Sequence, residues 1–217
     1  MASTVDRKLR LRWRRAQKAA RMIARLPFVR YVGVNGSLAR GASHANSDID
    51  LFIVIEEGHL WKTRLAITLL IHTHGLRRTN IKIAGRICLN RFFTTEHLEI
   101  TPHTLGNARE FCAQVPLYDA GDYHARFAES NSWVWEFGYR FSRITSDGLR
   151  VMNAGQLVKE SIEKALSFRF GQWLEQLVKR PQYRRIARDP RTYDPKGLVV
   201  FTDRELTFNP PRRNGSF

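Results

Sequence analysis

Two apolar runs joined by a connection rich in Gly, Ser and Asn constrain the fold of this chain more than any other feature. The first run spans residues 31–37 and ends in Gly-Ser, and the second spans residues 48–55 and begins Asp-Ile-Asp. This pattern predicts a strand, a loop and a second strand. Because side chains alternate between the two faces of a strand, we expect Asp48 and Asp50 to share one face while Ile49 enters the core on the other.

The residues at the two ends of this loop suit the binding of a phosphate and a cation. Two carboxylates about 7 Å apart on one strand face repel each other unless a cation neutralises them. Gly36 lets the backbone approach a phosphate closely, and Ser37 adds a hydroxyl. A helix beginning near Leu38 would direct its free N–H groups at an anion. The segment therefore predicts a site for a divalent cation and a triphosphate.

The same residues carry a resemblance to a known family. Val-Asn-Gly-Ser at residues 34–37, followed by Ser-Asp-Ile-Asp-Leu at residues 47–51, resembles the nucleotidyltransferase superfamily. That superfamily includes DNA polymerase beta, the antibiotic nucleotidyltransferases and the small prokaryotic nucleotidyltransferase domains. Its shared pattern is an apolar strand, Gly-Ser or Gly-Gly, about a dozen residues, and then Asp-apolar-Asp-apolar. The match is tight over residues 31–55 and loose outside them.

The resemblance implies a fold, a reaction and a set of site residues. The implied fold is of the α/β (α+β) class, a small mixed nucleotidyltransferase sheet flanked by helices, with a helical C-terminal extension. The implied reaction moves a nucleoside monophosphate from an NTP, with ATP the expected donor, to a hydroxyl of an RNA end, a protein or a small molecule. Asp48 and Asp50 are the expected catalytic residues and ligands of Mg²⁺ or Mn²⁺. Gly36, Ser37 and Arg40 are expected to hold the triphosphate.

The chain departs from the family pattern at the third carboxylate. Family members that transfer nucleotides usually carry a third acid on a later strand, and here the matching strand at residues 86–93 offers Asn90 instead. Asn90 is therefore the expected third metal ligand, and Glu96 or Glu99 is an alternative that would have to reach back from beyond the strand. A site with only two acids also supports an alternative function, a catalytically impaired nucleotidyltransferase-like protein that acts as a nucleic-acid-binding or scaffolding module.

Hydrophobic periodicity and helix breakers divide the chain into three segments. Residues 1–118 are expected to form the nucleotidyltransferase core with a basic, amphipathic N-terminal helix, for which a transit peptide is the alternative. Residues 119–180 form a helical extension, and residues 181–217 a basic tail with a hairpin. The elements predicted beyond the second apolar run are helices at 61–74, 104–115 and 156–179 (the last ended by Pro181), strands at 80–83 and 87–93, and a hairpin pairing 198–201 with 205–208.

Aromatic residues mark two further features. Residues 122–141 alternate in a way that suits a strand and also fit helical spacing, so both remain open and a helix is preferred. Trp133 and Trp135 are expected in the core, with base stacking as the alternative. The helix at 156–179 carries an apolar stripe that is expected to dock on the first half of the chain. The stripe consists of Leu166, Phe170, Trp173 and Leu177.

The charge balance favours polyanionic partners. The formal net charge is +16, from 36 basic and 20 acidic residues, and such a charge attracts nucleotides, nucleic acid or an acidic protein. The N-terminal helix, together with Arg180, Arg184, Arg185, Arg188 and the pair Arg212-Arg213, predicts a track for a nucleic-acid backbone. The alternative is a solvated basic face. Lys62 and Arg64 are expected to face solvent, and the oligomeric state is not predicted.

Cysteine usage and hydropathy indicate the compartment. The chain has 2 cysteines, Cys88 and Cys112, which lie in apolar segments without the spacing of a metal site or disulfide. They fit reduced core thiols in a cytoplasmic protein. The longest strongly apolar stretch, near residues 65–71, is far shorter than the roughly 20 residues that a membrane-spanning helix needs, so no membrane partner is expected.

Overall fold

A central six-stranded sheet organises the chain. A computed structural model describes residues 4–141, 156–195 and 197–209. The strands are β1 (Val29–Asn35), β2 (Ile49–Ile55), β3 (Ile87–Thr94), β4 (Val115–Asp119), β5 (Leu198–Phe201) and β6 (Glu205–Asn209). Their order in the sheet is β4-β1-β2-β3-β6-β5. β2 and β3 run parallel, whereas the other neighbouring pairs are antiparallel. The predicted mixed sheet is confirmed.

Helices cover the sheet. They are α1 (Thr4–Ala24), α2 (Gly36–Ala39), α3 (Leu60–Thr73), α4 (Leu105–Cys112), α5 (Tyr123–Ser130), α6 (Gln156–Ser167) and α7 (Arg169–Ala187), with short 3₁₀ helices at Ser132–Phe137 and Pro190–Tyr193. The α/β class is thereby confirmed. Among the helices that the structure describes, none is long and apolar enough to cross a bilayer.

Alternation along β2 produces two cores, one on each face of the sheet. Ile49, Leu51 and Ile53 pack into the first core, which α1 and α3 cover. Phe52 and Val54 pack into the second core beneath α4, α5 and the first 3₁₀ helix. The expected split of this strand between apolar and carboxylate-bearing faces is therefore observed, because the even-numbered positions of β2 share the face of the second core.

The basic N-terminal segment is the first helix of the fold, as expected. Its apolar positions Ala16, Ala20 and Ile23 are fully buried in the first core. Arg12 is also buried, and its guanidinium donates to Ser43 Oγ at 2.6 Å and to the Ala45 carbonyl at 2.7 Å. α1 thereby fixes the loop that connects β1 to β2.

Two elements between residues 80 and 119 differ from their predictions. Residues 80–83 form no strand, and Ile81 is 92% exposed, so the apolar side chains there have no sheet partner. The predicted helix at 104–115 ends at Cys112, and Val115 instead begins β4. β4 was missed because Pro116 was interpreted as a helix stop. A proline is tolerated here because β4 is an edge strand.

The predicted long helix at 156–179 is two helices. The chain breaks at Phe168 between α6 and α7, and α7 continues through Pro181 to Ala187. Gly171 makes the junction possible, because a Cβ there would lie 1.6 Å from the Leu166 carbonyl oxygen. The prediction that Pro181 ends the helix was therefore wrong.

The predicted docking stripe on this segment was wrong as well. Phe170, Trp173 and Leu177 are 62%, 58% and 48% exposed. The buried face of α7 instead carries Gly171 and Glu175, and it packs against α3. Leu166 of the same stripe, on α6, does pack against the first core.

Most of the segment at residues 122–141 is helical and none of it is a strand, which settles the choice between strand and helix. The helical residues form α5 and a 3₁₀ helix. Trp133 is buried and donates its indole N–H to Asn131 Oδ1 at 3.1 Å. Trp135 is 61% exposed, so the prediction that it lies in the core was wrong.

The predicted hairpin near the C-terminus forms and extends the central sheet. β5 pairs with β6, and β6 pairs with β3. Leu206 is fully buried in the first core. The pair Arg212-Arg213, predicted to join a basic track, lies outside the described residues.

Candidate active site

The glycine turn and the carboxylates are brought together by the pairing of β1 with β2. Asn35, the last residue of β1, lies in register with Asp50. Gly36 follows with a φ of +69°, and a Cβ at this position would lie 2.3 Å from Asp50 Oδ2. Only glycine permits both the left-handed backbone and this close contact. The predicted proximity of turn and acid is therefore present.

Asp48 and Asp50 converge as the alternation on β2 predicts. One oxygen of each carboxylate and the Cys88 sulfur all lie within 4.8 Å of one another. Arg78 Nη1 donates to Asp48 Oδ2 at 2.6 Å, and Asn90 Nδ2 donates to Asp50 Oδ1 at 3.0 Å. The structure therefore contains a compact group of oxygen donors at the start of two parallel strands.

Burial makes this group electrostatically unfavourable for two bare anions. The pKa of Asp50 is raised to about 7, first by burial and then by the charges of Asp48 and Glu110, while Arg78 acts in the opposite direction. Burial and the same two aspartates also raise the pKa of the Cys88 thiol, which is therefore neutral near pH 7. A cation bound between the carboxylates would neutralise the negative charges that contribute to both raised pKa values.

The third position of the site differs in detail from the expectation. The parallel register places Cys88, rather than Asn90, directly beside Asp50. The register shifts between Leu51 and Phe52, and Asn90 lies at this irregularity. Its amide nitrogen is used for the hydrogen bond to Asp50, and its Oδ1 has no partner among the described residues.

The alternative acids beyond β3 lie at the wrong end of the strand. The strand rises about 20 Å from Cys88 to its end at Thr94, and Glu96 and Glu99 follow that end. Both are exposed, and Glu99 pairs with His103 at 2.9 Å. Glu96 and Glu99 therefore lie far from Asp48 and Asp50 in this structure.

The expected triphosphate residues lie at the opening of the site. Gly36 and Ser37 begin the single turn of α2, and Arg40 is exposed on the loop that follows. The Arg40 backbone N–H donates to the Gly36 carbonyl at 3.2 Å, which keeps this loop close to the carboxylates.

Buried polar groups without partners extend from the carboxylates across the same face of the sheet. Asn35 is buried with both side-chain amide atoms unpaired among the described residues, and Gln114 Nε2 is in the same state. Arg91 lies 5.0 Å over the Phe111 ring, with Nε and Nη1 unpaired. Each such group costs about 1–3 kcal/mol unless a ligand or water satisfies it, so this strip suits a polar ligand.

Three residues of the site were missed by sequence reasoning: Arg78, Cys88 and Glu110. Cys88 had a weak signal, since it lies two positions before Asn90 and strand alternation puts both on one face. Arg78 comes from an irregular segment, and Glu110 approaches through the packing of α4. Neither carries a local pattern that would reveal its position.

Residues 17–84 match the nucleotidyltransferase domain family. The match covers the glycine turn, the loop and both aspartates, and it confirms the resemblance predicted from the sequence. It spans less than half of the chain, and Cys88, Asn90 and Glu110 lie beyond it. The segment in which the carboxylates and the turn meet is thus similar to a nucleotidyltransferase domain.

The remaining comparisons are sparse. A solved structure described as "Crystal structure of the toxin-antitoxin with AMP-PNP" is similar at a TM-score of 0.34 and 13% sequence identity, over 58% of this chain and 86% of that chain. A TM-score in that range carries no conclusion about fold or function. Curated proteins gave no significant match.

Proposed function

We propose that this protein is a metal-dependent nucleotidyltransferase that moves a nucleoside monophosphate from an NTP to an acceptor hydroxyl: the hydroxyl oxygen bonds to the α-phosphorus, the α–β phosphoanhydride bond breaks, and pyrophosphate leaves. The observation that carries the proposal is the contact of Gly36 with Asp50, beside a second carboxylate from Asp48. A turn that admits a phosphate thereby adjoins a pair of acids that requires a cation. The nucleotidyltransferase domain match over residues 17–84 supports the same reaction class.

The donor atoms fit a hard divalent cation. Asp48 and Asp50 offer carboxylate oxygens, the ligands that Mg²⁺ and Mn²⁺ prefer. The Cys88 sulfur lies within 4.8 Å of one oxygen of each carboxylate, but sulfur is a soft ligand that Mg²⁺ and Mn²⁺ do not prefer. When bound, the cation would neutralise charge on the phosphates and activate the acceptor hydroxyl.

Other residues of the chain would bind the triphosphate and orient the carboxylates. Gly36, Ser37 and Arg40 would hold the triphosphate, with Arg40 free at the surface to reach its oxygens. Asp48 would exchange its ion pair with Arg78 for the cation, which frees the Arg78 guanidinium to contact a phosphate. Asn90 would orient Asp50 through its amide N–H.

The proton of the acceptor hydroxyl requires a base. β3 offers no third acid next to Asp50, but Glu110 on α4 carries a charge that acts on Asp50. Glu110 is therefore our candidate for the general base. ATP is the proposed donor, the acceptor is an RNA end, a protein or a small molecule, and the proposed compartment is the cytoplasm.

A labelling experiment tests this function. The purified protein is incubated with each α-labelled NTP, Mg²⁺ or Mn²⁺, and RNA or protein from a host extract. We expect label to enter one acceptor fraction, and Asp48→Asn or Asp50→Asn to abolish the transfer with the fold retained by circular dichroism. Glu96→Gln is the control, since Glu96 is an exposed acid beyond the far end of β3, and it should leave transfer unchanged.

A second candidate function is a nucleic-acid-binding or scaffolding module that has lost transfer. It is favoured by one observation, the presence of Cys88 and Asn90 where the family carries an acid. If no NTP labels any acceptor while salt-sensitive RNA binding survives Asp48→Asn with Asp50→Asn, this second function replaces the first.

A further inference from the structure

The outward side of α7 combines aromatic and basic residues in one line. We call it the α7 outer face; at about 1.5 Å per helical residue it is about 27 Å long. Helical spacing places its members within one narrow arc, and all of them are exposed. They are Phe170, Trp173, Leu177, Arg180, Arg184 and the C-capping Arg188.

The opposite side of α7 already supplies the packing that holds this helix on the protein. Glu175 accepts backbone N–H groups of α3, and Gln182 donates to the Trp61 carbonyl at 3.1 Å. Lys62 Nζ donates to the Gly171 carbonyl at 3.2 Å. Phe170 and Trp173 are more than half exposed on the side away from these hydrogen bonds, and their exposure calls for another explanation.

The aromatic half of the face presents two neighbouring rings. The ring centroids of Phe170 and Trp173 are 5.8 Å apart, with 30° between their planes. Both side chains are more than half exposed. Exposed aromatic rings are the platforms on which unpaired bases stack, and this stacking tolerates any base.

The basic half of the face carries arginines that form no ion pair with the residues that the structure describes. Arg184 and Arg188, with Arg185 beside them, line an open cleft of about 650 Å³. Asp189 also lines the cleft, but it is already paired with Arg191 at 2.6 Å. In the part of the chain that the structure describes, none of the ion pairs involves Arg180, Arg184, Arg185 or Arg188.

We propose that the α7 outer face binds single-stranded nucleic acid, with bases stacked on Phe170 and Trp173 and phosphates on Arg180, Arg184 and Arg188. The charges match a phosphate backbone, and the aromatic pair requires bases that are not already stacked inside a duplex. The formal charge of +16 disfavours a second copy of this chain as the occupant. The inference goes beyond nucleotide transfer and holds whether or not the carboxylate site is active.

Fluorescence anisotropy with a labelled single-stranded RNA of about 15 nucleotides tests the proposal in the full-length protein. We expect Trp173→Ala to weaken binding by about 5-fold or more, through loss of stacking. Arg184→Ala with Arg188→Ala should reduce the slope of log affinity against log salt by about 1.4, since each phosphate contact to a single strand contributes about 0.7. These side chains are exposed, so circular dichroism should show an unchanged fold.

Matched variants elsewhere on the surface serve as controls. Trp135→Ala removes an exposed tryptophan outside α7, and Arg14→Ala with Lys18→Ala removes two exposed charges from α1. Smaller effects from both controls support the proposal. If Arg14→Ala with Lys18→Ala loses as much RNA affinity as Arg184→Ala with Arg188→Ala, the binding is a diffuse effect of the net charge, and the proposal is overturned. An unchanged RNA affinity in Trp173→Ala would also overturn the proposal. So would complete displacement of the RNA by poly-glutamate at equal charge, because that result would indicate an acidic protein as the partner.

Discussion

Gly36 combines a left-handed backbone conformation with a close contact to the Asp50 carboxylate. Its positive φ and its contact with Asp50 leave no room for a side chain. We expect Gly36→Ala to displace the turn or the carboxylate by a sizeable fraction of an ångström or more. A displacement of about 1 Å at a reacting centre costs about 10²-fold in rate. Steady-state label transfer should therefore fall by about that factor.

Gly58 offers a matched control for this substitution. Its φ of +77° imposes similar backbone strain, but a Cβ there meets nothing within 4 Å. Gly58→Ala should thus cost stability without loss of transfer. Similar rates in Gly36→Ala and in the parent protein would contradict the role given to the turn.

His59 predicts a pH dependence of stability. Burial, followed by the charges of Lys62 and Arg30, lowers its pKa from 6.5 to about 4, and its ring stacks on Phe28 at 3.6 Å. The unfolded chain therefore binds a proton more readily than the folded one. The contribution of neutral His59 is fully present above pH 6.5 and is lost as the pH falls through about 4, by about 2–3 kcal/mol.

Urea denaturation of the parent and His59→Phe between about pH 7 and 4 measures this contribution. Phe keeps the stacking but cannot titrate, so the parent should lose about 2–3 kcal/mol relative to the variant over this range. The difference removes the effects of other groups, such as Asp50. Parallel curves for the two proteins would refute the prediction.

Sequence patterns predicted those residues of the site whose positions follow from local backbone structure. Gly36, Asp48 and Asp50 follow from strand alternation and turn chemistry, and the structure brings them together. The neighbour of Asp50 on β3 depends on register across two strands separated by α3, so Cys88 was not foreseen. The approach of Arg78 depends in turn on tertiary packing.

At the scale of elements, Glu175 joins α7 to the beginning of α3. Its two oxygens accept the backbone N–H groups of Trp61 at 2.6 Å and Lys62 at 3.1 Å, and Lys62 Nζ lies 3.8 Å away. Glu175 thus caps a helix that is distant in sequence. The expectation that Lys62 faces solvent was wrong, because its ammonium is buried under α7. Arg64 was also misjudged, since its guanidinium lies over the Phe92 and Phe208 rings.

Removing Glu175 should destabilise the protein strongly. Glu175→Ala leaves Lys62 buried without its counter-charge and two N–H groups without an acceptor, a combination that costs about 3–5 kcal/mol. Gln176→Ala, at the next and exposed position of α7, is the control and should change stability by less than about 0.5 kcal/mol. Thermal or urea denaturation measures both, and equal stabilities would contradict the capping role.

Helices and strands were predicted correctly where local sequence signals determine them. The predictions failed where tertiary contacts determine which face is buried. The hairpin of β5 and β6 follows from its apolar runs. Phe170, Trp173 and Leu177 have the spacing of a core stripe, yet they are exposed because Gly171 and Glu175 make the contact with α3. Periodicity reveals that a face is apolar, but it does not identify what covers it.

At the scale of the whole molecule, distant parts of the chain complete one sheet and its cores. β6 pairs with β3, and the Trp61 indole N–H donates to Asp203 Oδ1 at 2.8 Å. Lys159 on α6 donates to the carbonyls of Ala24 and Val29, both at 3.0 Å. Residues 1–118, predicted as the nucleotidyltransferase core, therefore make contacts with residues from both later segments.

A fragment of residues 1–118 tests whether these contacts are required for folding. It lacks β5, β6, α6 and α7, which leaves β3 as an open edge and exposes much of the first core. We expect the fragment to show no cooperative thermal transition and rapid amide hydrogen exchange. A cooperative transition near that of the full chain would show that the predicted core folds independently.

The central claim is that Asp48 and Asp50 hold a divalent cation beside the Gly36 turn. Electron paramagnetic resonance of Mn²⁺ measures this binding directly, at about pH 8 so that Asp50, with its pKa of about 7, is ionised. The account predicts Mn²⁺ binding by the parent protein, unchanged binding in Glu96→Gln, and binding weakened by about 10-fold or more in Asp48→Asn and in Asp50→Asn. Equal Mn²⁺ affinity in all four proteins would contradict it.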